Sequence, residues 1–394
     1  MSNGQKVLKA YHFQTKILMV LLFIAQFVAE SKLFAVPAAH LGVLKVGVIT
    51  PLTGPQAEYG KDLLIGVKVA LEKYQKSKIK LASKIKILYK DDRSTPKGAE
   101  DAFHALKKER VSIIIGSASP LNSSQLAELA EQFKIPLIIP ASLKSGYGKD
   151  HSHTFFSNFS SKWQGYLLAQ LSKSHLKKTR PAILFDPTDP TAHDIADSFE
   201  QAVKANQGPG VVHKGFLPQE INDTNFINAL ETTLKSNPDI ILLPTHSLKL
   251  VALTMSVLKN KKENIPLLGL TSWHDPNLNI LAEKEMTNHY YPIYYSSQLK
   301  QTKDQILFKQ KFTSHINRQP SSLAVISYDS MVLAIETLEK TKSHTTAEIL
   351  QVLRGLENIN GLLGEIKMLG DHSLSKPAVI IEYIENSRQI HSVL

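Results

Sequence analysis

The 394-residue chain contains no cysteine. That absence excludes a disulfide framework, a cysteine-ligated metal site and a thiol nucleophile, so the fold must stand on packing alone. An oxidising compartment suits such a chain, although many cytosolic proteins also lack cysteine. Catalytic signatures are missing too: there is no Gly-x-Ser-x-Gly elbow, no phosphate-cradling Gly-x-x-x-x-Gly-Lys, no Gly-x-Gly-x-x-Gly after the first strand and no His-Glu-x-x-His. Binding without chemistry is the simpler reading, so the chain is expected to be no enzyme and to carry no cofactor. Arginine-rich tracts interleaved with aromatics are absent as well. The formal charge of +11 is spread over predicted helix surfaces at positions such as Lys173, Lys177 and Lys178, and no nucleic acid is expected as a partner.

One apolar run stands out. Lys6, Lys9 and Lys16 precede an unbroken stretch over 17–25, continued by Phe27, Val28 and Ala29. A basic n-region ahead of an h-region too short to span a bilayer comfortably reads as an export signal over 1–38, cleaved after Ala38 in Val36-Pro37-Ala38. A retained anchor is the alternative. No cysteine follows the run, which excludes a lipid-anchored lipoprotein. Without residues 1–38 the 46 basic and 35 acidic residues become 42 and 34, a mildly basic balance of +8.

From Leu44 onward, short β-branched runs alternate with longer amphipathic segments, the pattern of parallel sheets with crossover helices. Strands are predicted at 44–49, 85–89, 112–115 and 137–139, with helices at 60–74, 96–109 and 123–133, the last begun by a Ser-Ser cap. The alternation restarts after Phe156, with strands at 182–185, 211–216, 240–243 and 266–268 and helices at 162–176, 192–205, 224–234 and 248–258. Two such sets imply two similar α/β lobes. A tail of helices at 304–316, 322–340 and 346–356, then strands near 364–368 and 378–383, can revisit both.

Ligands of open parallel sheets sit beyond the carboxyl ends of the strands, where loops diverge and helix N-termini point inward. Tyr59 follows the first strand at the mouth of a helix, where it could wall off a ligand or simply pack. Ser117, Ala118 and Ser119 precede another helix N-terminus, where small side chains let a backbone approach an anionic group, though part of this is capping. Asp91-Asp92 resembles an acid/base pair, but neighbours on an extended stretch point opposite ways and cannot share a substrate, so they are expected to brace loops. His151 and His153 lack a third ligand nearby and are read as solvent-facing, with no metal expected.

The residues at these positions resemble the type I periplasmic binding proteins of branched-chain amino acid ABC transporters. The likeness is carried by Lys45-Val46-Gly47-Val48-Ile49 running into Pro51-Leu52-Thr53-Gly54-Pro55 and Tyr59-Gly60, by Asp91-Asp92 with Pro96 and Ala99, by Ile113-Ile114-Ile115-Gly116-Ser117, and by Ile135-Pro136 leading to Ile139-Pro140-Ala141-Ser142. Pro238-Asp239-Ile240, Leu268-Gly269, Ser327-Tyr328-Asp329 and Gly361-Leu362-Leu363-Gly364-Glu365-Ile366 extend it over nearly the whole chain beyond the leader.

The resemblance implies two Rossmann-like lobes with parallel central sheets, joined by three crossovers near 156–159, 291–296 and 361–364. Lobe 1 is then 43–156 plus 296–361, and lobe 2 is 160–291 plus 364–394. It implies a monomeric, periplasmic receptor that closes on a small polar ligand, an amino acid or an amide- or aromatic-acid-like molecule, and delivers it to a permease in the inner membrane. A ligand sensor acting on a receptor or enzyme partner is the alternative. The implied pocket holds Tyr59, Ser117, Ala118, Ser119, Ala141, Ser142, Thr191, His246, Thr271 and Trp273. The sequence departs from the amino-acid-binding pattern where the family's carboxylate-binding serine falls on Pro120, its threonine on Leu143, and the acid that pairs with the ligand ammonium on Thr271. Asp275 could replace that acid, or Trp273 and His246 could enclose an aromatic or amide-like ligand.

Overall fold

Five short strands form the first sheet: β1 (Leu44–Thr50), β2 (Ile85–Asp91), β3 (Ile113–Gly116), β4 (Leu137–Ile139) and β5 (Thr154–Phe156). The structure, a computed structural model, describes residues 43–77, 79–140, 147–205, 210–217, 222–275, 277–282, 288–299, 301–384 and 387–394. The strands lie parallel in the order β2-β1-β3-β4-β5. Connecting them are α1 (Ala57–Gln75), α2 (Pro96–Lys108) and α3 (Pro120–Phe133). Because side chains alternate across a strand, Ile113 and Ile115 enter one core with α1, while Ile114 enters the other with Phe103 and Leu126. Burial on both faces explains why β3 and β4 are continuous apolar runs, whereas the edge strand β2 keeps Lys86, Tyr89 and Lys90 exposed.

Local chemistry sets the helix starts. Thr95 caps α2, accepting a hydrogen bond from the Gly98 amide at 2.9 Å, with Pro96 in the first turn. Ser119 does the same for α3, accepting from the Asn122 amide at 3.2 Å ahead of Pro120. Proline suits the first helical position because its missing N–H would have had no partner there. The expected Ser-Ser cap is thereby corrected: α3 starts at Pro120, and Ser123 is inside it.

The second sheet repeats the first. Its strands β6 (Pro181–Phe185), β7 (His213–Phe216), β8 (Ile240–Leu242), β9 (Leu267–Leu268) and β10 (His289–Ile293) are parallel in the order β7-β6-β8-β9-β10. With them run α4 (Ser161–Gln170), α5 (Pro190–Ala205), α6 (Asp223–Leu234) and α7 (Leu248–Asn260). Strands β5 and β10 were not expected. The first has three residues, and the second carries Pro292, which demotes a run when read alone.

The tail returns to the first lobe as α8 (Lys303–Ile316), α9 (Ser322–Lys340) and α10 (Thr346–Arg354). Buried along nearly its whole length, α9 packs on α1 so closely that a Cβ on Gly66 would lie 2.2 Å from the Ala324 carbonyl oxygen. A small sheet follows, from β11 (Ile359–Asn360), β12 (Glu365–Met368) and β13 (Leu374–Ser375), and its Ile366, Met368 and Leu374 belong to the first core. Only then does the chain join the second sheet, where β14 (Val379–Ile384) pairs antiparallel with β10 and with β15 (Ser387–Val393). The chain thus passes from the small sheet to the second sheet over 376–378, whereas the third crossing was expected near 361–364, and Ile366, Met368 and Leu374 pack in the first core. Glycines in the Gly361 to Gly364 turn mimic a linker, but the strands after them fold back onto the same core.

No described helix is long and apolar enough to cross a membrane. The expected leader over 1–38 lies outside the described residues.

Candidate functional site

At the carboxyl ends of β1, β2 and β3, two adjacent carboxylates tie the loops together. Asp91 accepts hydrogen bonds from the amides of Leu52 at 2.8 Å, Thr53 at 3.2 Å and Arg93 at 2.8 Å, and from the Thr53 hydroxyl at 2.6 Å. Burial alone would raise its pKa, but these donors outweigh it and hold the carboxyl below its usual value. Asp92 faces the other way, into the lobe. Burial holds its carboxyl above the usual range, against hydrogen bonds from the Ser117 hydroxyl and the Ser94 amide. The pair braces loops, as the alternation of side chains along a strand requires.

This bracing engages one of the expected site residues, and helix capping engages a second. Ser117 is fully buried and its hydroxyl donates to Asp92 Oδ2 at 2.5 Å. Ser119 is buried and caps α3. Ala118 between them is half-buried, and Tyr59, in the first turn of α1, is exposed. Leu121, unremarked from sequence, is 67% exposed in the first turn of α3. Ala141 and Ser142 lie outside the described residues.

In the second lobe, the loops after β8 and β9 are joined by Trp273. Its Nε1 donates to the Thr245 carbonyl at 3.1 Å, and its ring lies so close to Gly269 that a Cβ there would come within 2.1 Å of it. The indole is wholly buried in the second core. Expected in the wall of the ligand site, the ring supports the loops from beneath in this structure, since an amphipathic ring can bury its body once its N–H has a partner. Beside it, His246 is exposed with Nδ1 3.1 Å from Ser272 Oγ, and Thr271 is half-buried. Thr191, half-buried in the first turn of α5, donates its amide to Asp189 Oδ1 at 2.8 Å. His246, Thr271 and Trp273 are thus gathered by one loop pair, and Ser117, Ala118 and Ser119 by another.

The histidines at 151 and 153 are not solvent-facing. His151 Nε2 is 3.1 Å from Glu128 Oε1, and His153 Nδ1 is 3.1 Å from Glu131 Oε2, with both rings largely covered. Carboxylates on α3, distant in sequence, supply the partners. Among the described residues no group of three or more side chains could hold a metal ion.

The sequence profile of the family described as periplasmic binding protein matches residues 43–388. The chain belongs to that family. A Leu/Ile/Val-binding protein of Rhizobium johnstonii is 24% identical over 201 residues, 51% of this chain and 53% of the relative. The chain thus spans about half the length of the curated relatives it matches. Among solved structures, an ABC transporter substrate-binding protein of Desulfitobacterium hafniense complexed with Leu is 19% identical and superposes over 88% of this chain and 99% of its own with a TM-score of 0.65. A solute binding protein of an ABC transporter from Rhodopseudomonas palustris HaA2, complexed with p-hydroxybenzoic acid, is 18% identical with a TM-score of 0.63 over 89% of this chain and 96% of its own. These likenesses establish the two-lobed type I fold of this periplasmic binding protein.

Proposed function

We propose that this periplasmic binding protein is an exported, monomeric receptor that captures a small polar solute between the strand-end loops of its two lobes and delivers it to a membrane importer. The observation that carries the reading is the repeated strand order. Both sheets run β-α-β in the same sense, so both present loops and helix N-termini at the carboxyl ends of their strands, where α/β sheets bind ligands. Tyr59, Ala118 and Leu121 would contribute from the first lobe, and Thr191, His246 and Thr271 from the second. A ligand touching both lobes favours the closed form, which a permease can tell from the open one.

The solute class supported is a carboxylate-bearing molecule, an amino acid or an aromatic acid. Relatives of the same fold hold Leu and p-hydroxybenzoic acid. Affinity for a transport receptor is expected near about 1 μM, or about −8 kcal/mol. A thermal-shift screen of branched-chain amino acids, amides, benzoate and 4-hydroxybenzoate tests the reading, because a ligand that binds only the folded state raises the melting temperature. At least one class is expected to raise it in a saturable way, with the compound recovered unchanged. No shift with any of them overturns the proposal.

A further inference from the structure

The three interlobe crossings converge on one cluster. The ring of Phe159, on the first crossing, stacks on Tyr294, on the second, with centroids 4.3 Å apart, and Phe159 packs with Ala378 of the third. Phe159 also bridges Leu374 in parallel fashion. Beside this cluster sits a charge. Lys376 Nζ lies 2.6 Å from Asp329 Oδ2, and both side chains are fully buried. The ammonium also donates to the Ser157 carbonyl at 3.4 Å, and Asp329 Oδ1 accepts the Leu362 amide at 2.9 Å.

Lys376 is held from the other side as well. Its carbonyl accepts Trp163 Nε1 at 3.1 Å, from the helix that opens the second lobe. One residue is therefore bonded through its side chain to α9 of the first lobe and to the first crossing, and through its backbone to α4 of the second. An apolar pair of similar volume would serve stability as well or better, because desolvating two charges costs much of what their attraction returns. What an apolar pair would lose is direction. A hydrogen-bonded ammonium fixes its donor to one acceptor geometry, whereas a packed methyl group can slide.

We propose that Lys376 is the positioning residue of the interlobe pivot, with Asp329 as its anchor in the first lobe and Trp163 as its anchor in the second. Rotation of the lobes then occurs by backbone changes to either side of Lys376, which stays in place, as hinges confined to a few residues do. The proposal takes from the function above only that the lobes move, and its test needs no ligand.

Since the chain has no cysteine, Lys97→Cys and Lys249→Cys can be spin-labelled selectively; the native side chains are 71% and 69% exposed in the first turns of α2 and α7. Interlabel distances in the ligand-free protein are measured by electron–electron double resonance. The variant Asp329→Asn/Lys376→Met removes both charges while keeping an acceptor for Leu362 and the volume of the lysine chain. It is expected to melt near the parent temperature yet widen the distance distribution about twofold, as more interlobe orientations become populated. Trp163→Phe, at a partly exposed site, releases only the second lobe's bond and is expected to widen it too. Should the double variant not fold, Trp163→Phe decides. Distributions as narrow as the parent's in the variants that fold overturn the proposal.

Discussion

The Ser117 hydroxyl donates a 2.5 Å hydrogen bond to the buried Asp92 carboxylate, joining the loop after β3 to the end of β2. A serine that sequence places at a ligand's carboxylate is therefore committed to holding the loop that approaches it. Ser117→Ala leaves a buried carboxylate short of a donor and is expected to cost about 1–3 kcal/mol. Urea unfolding measures this. A variant as stable as the parent would free Ser117 for the ligand after all.

Trp273 anchors the second lobe's loops in the same manner. Trp273→Ala is expected to destabilise by about 3–5 kcal/mol, the range for removing a buried large aromatic. A stable Trp273→Ala protein that merely binds solute more weakly would return the indole to the ligand wall.

Tyr59 and His246 behave oppositely, because both are exposed. Tyr59→Ala and His246→Ala should each leave the melting temperature unchanged and weaken the solute identified by the screen tenfold or more, about 1.4 kcal/mol. Isothermal titration checks this, and unchanged affinity in both variants removes them from the site.

Removing one partner of the buried pair is a different matter from removing both. Lys376→Met alone strands the Asp329 carboxylate in the interior and is expected to cost about 3–5 kcal/mol, most of it recovered when Asp329→Asn is added. Additive losses in that cycle would show that the two side chains do not interact.

Two histidines link stability to pH. His274 is held below the usual imidazole pKa by burial and then by Arg388. His372 is held below it by burial first and by the charge of Arg354, against the bond from its ring to the Thr154 carbonyl at 3.0 Å. The unfolded chain takes up these protons near about pH 6.5 while the fold resists, so stability falls as pH drops through that value. Asp92, raised by burial, acts in the opposite sense in the lower, carboxylate window. The melting temperature should fall between about pH 7.5 and about pH 5.5, and less steeply in His372→Asn, which keeps a donor for Thr154. Equal slopes would discount His372.

Much of the architecture was legible in the residues themselves. Runs such as Ile113-Ile114-Ile115 and Leu137-Ile138-Ile139 are apolar on both faces because they lie in parallel sheets covered on both sides, and the helices between them carry their own periodicity and proline punctuation. Such features depend on neighbours a few residues away. Strand β10 was hidden behind Pro292, and the membership of Ile366, Met368 and Leu374 in the first core was not legible, because pairing and core membership are set by residues far along the chain.

For the site, sequence could name the strand-end loops but not the duty of each side chain within them. Ser117 and Trp273 carry the same polar handles as Tyr59 and His246, and only three-dimensional packing decides whether a handle meets the protein or the solvent. Asp329 and Lys376, forty-seven positions apart, bear no local mark of partnership. Burial of two opposite charges at one point is a property of the folded chain, since in the unfolded chain water satisfies each of them separately.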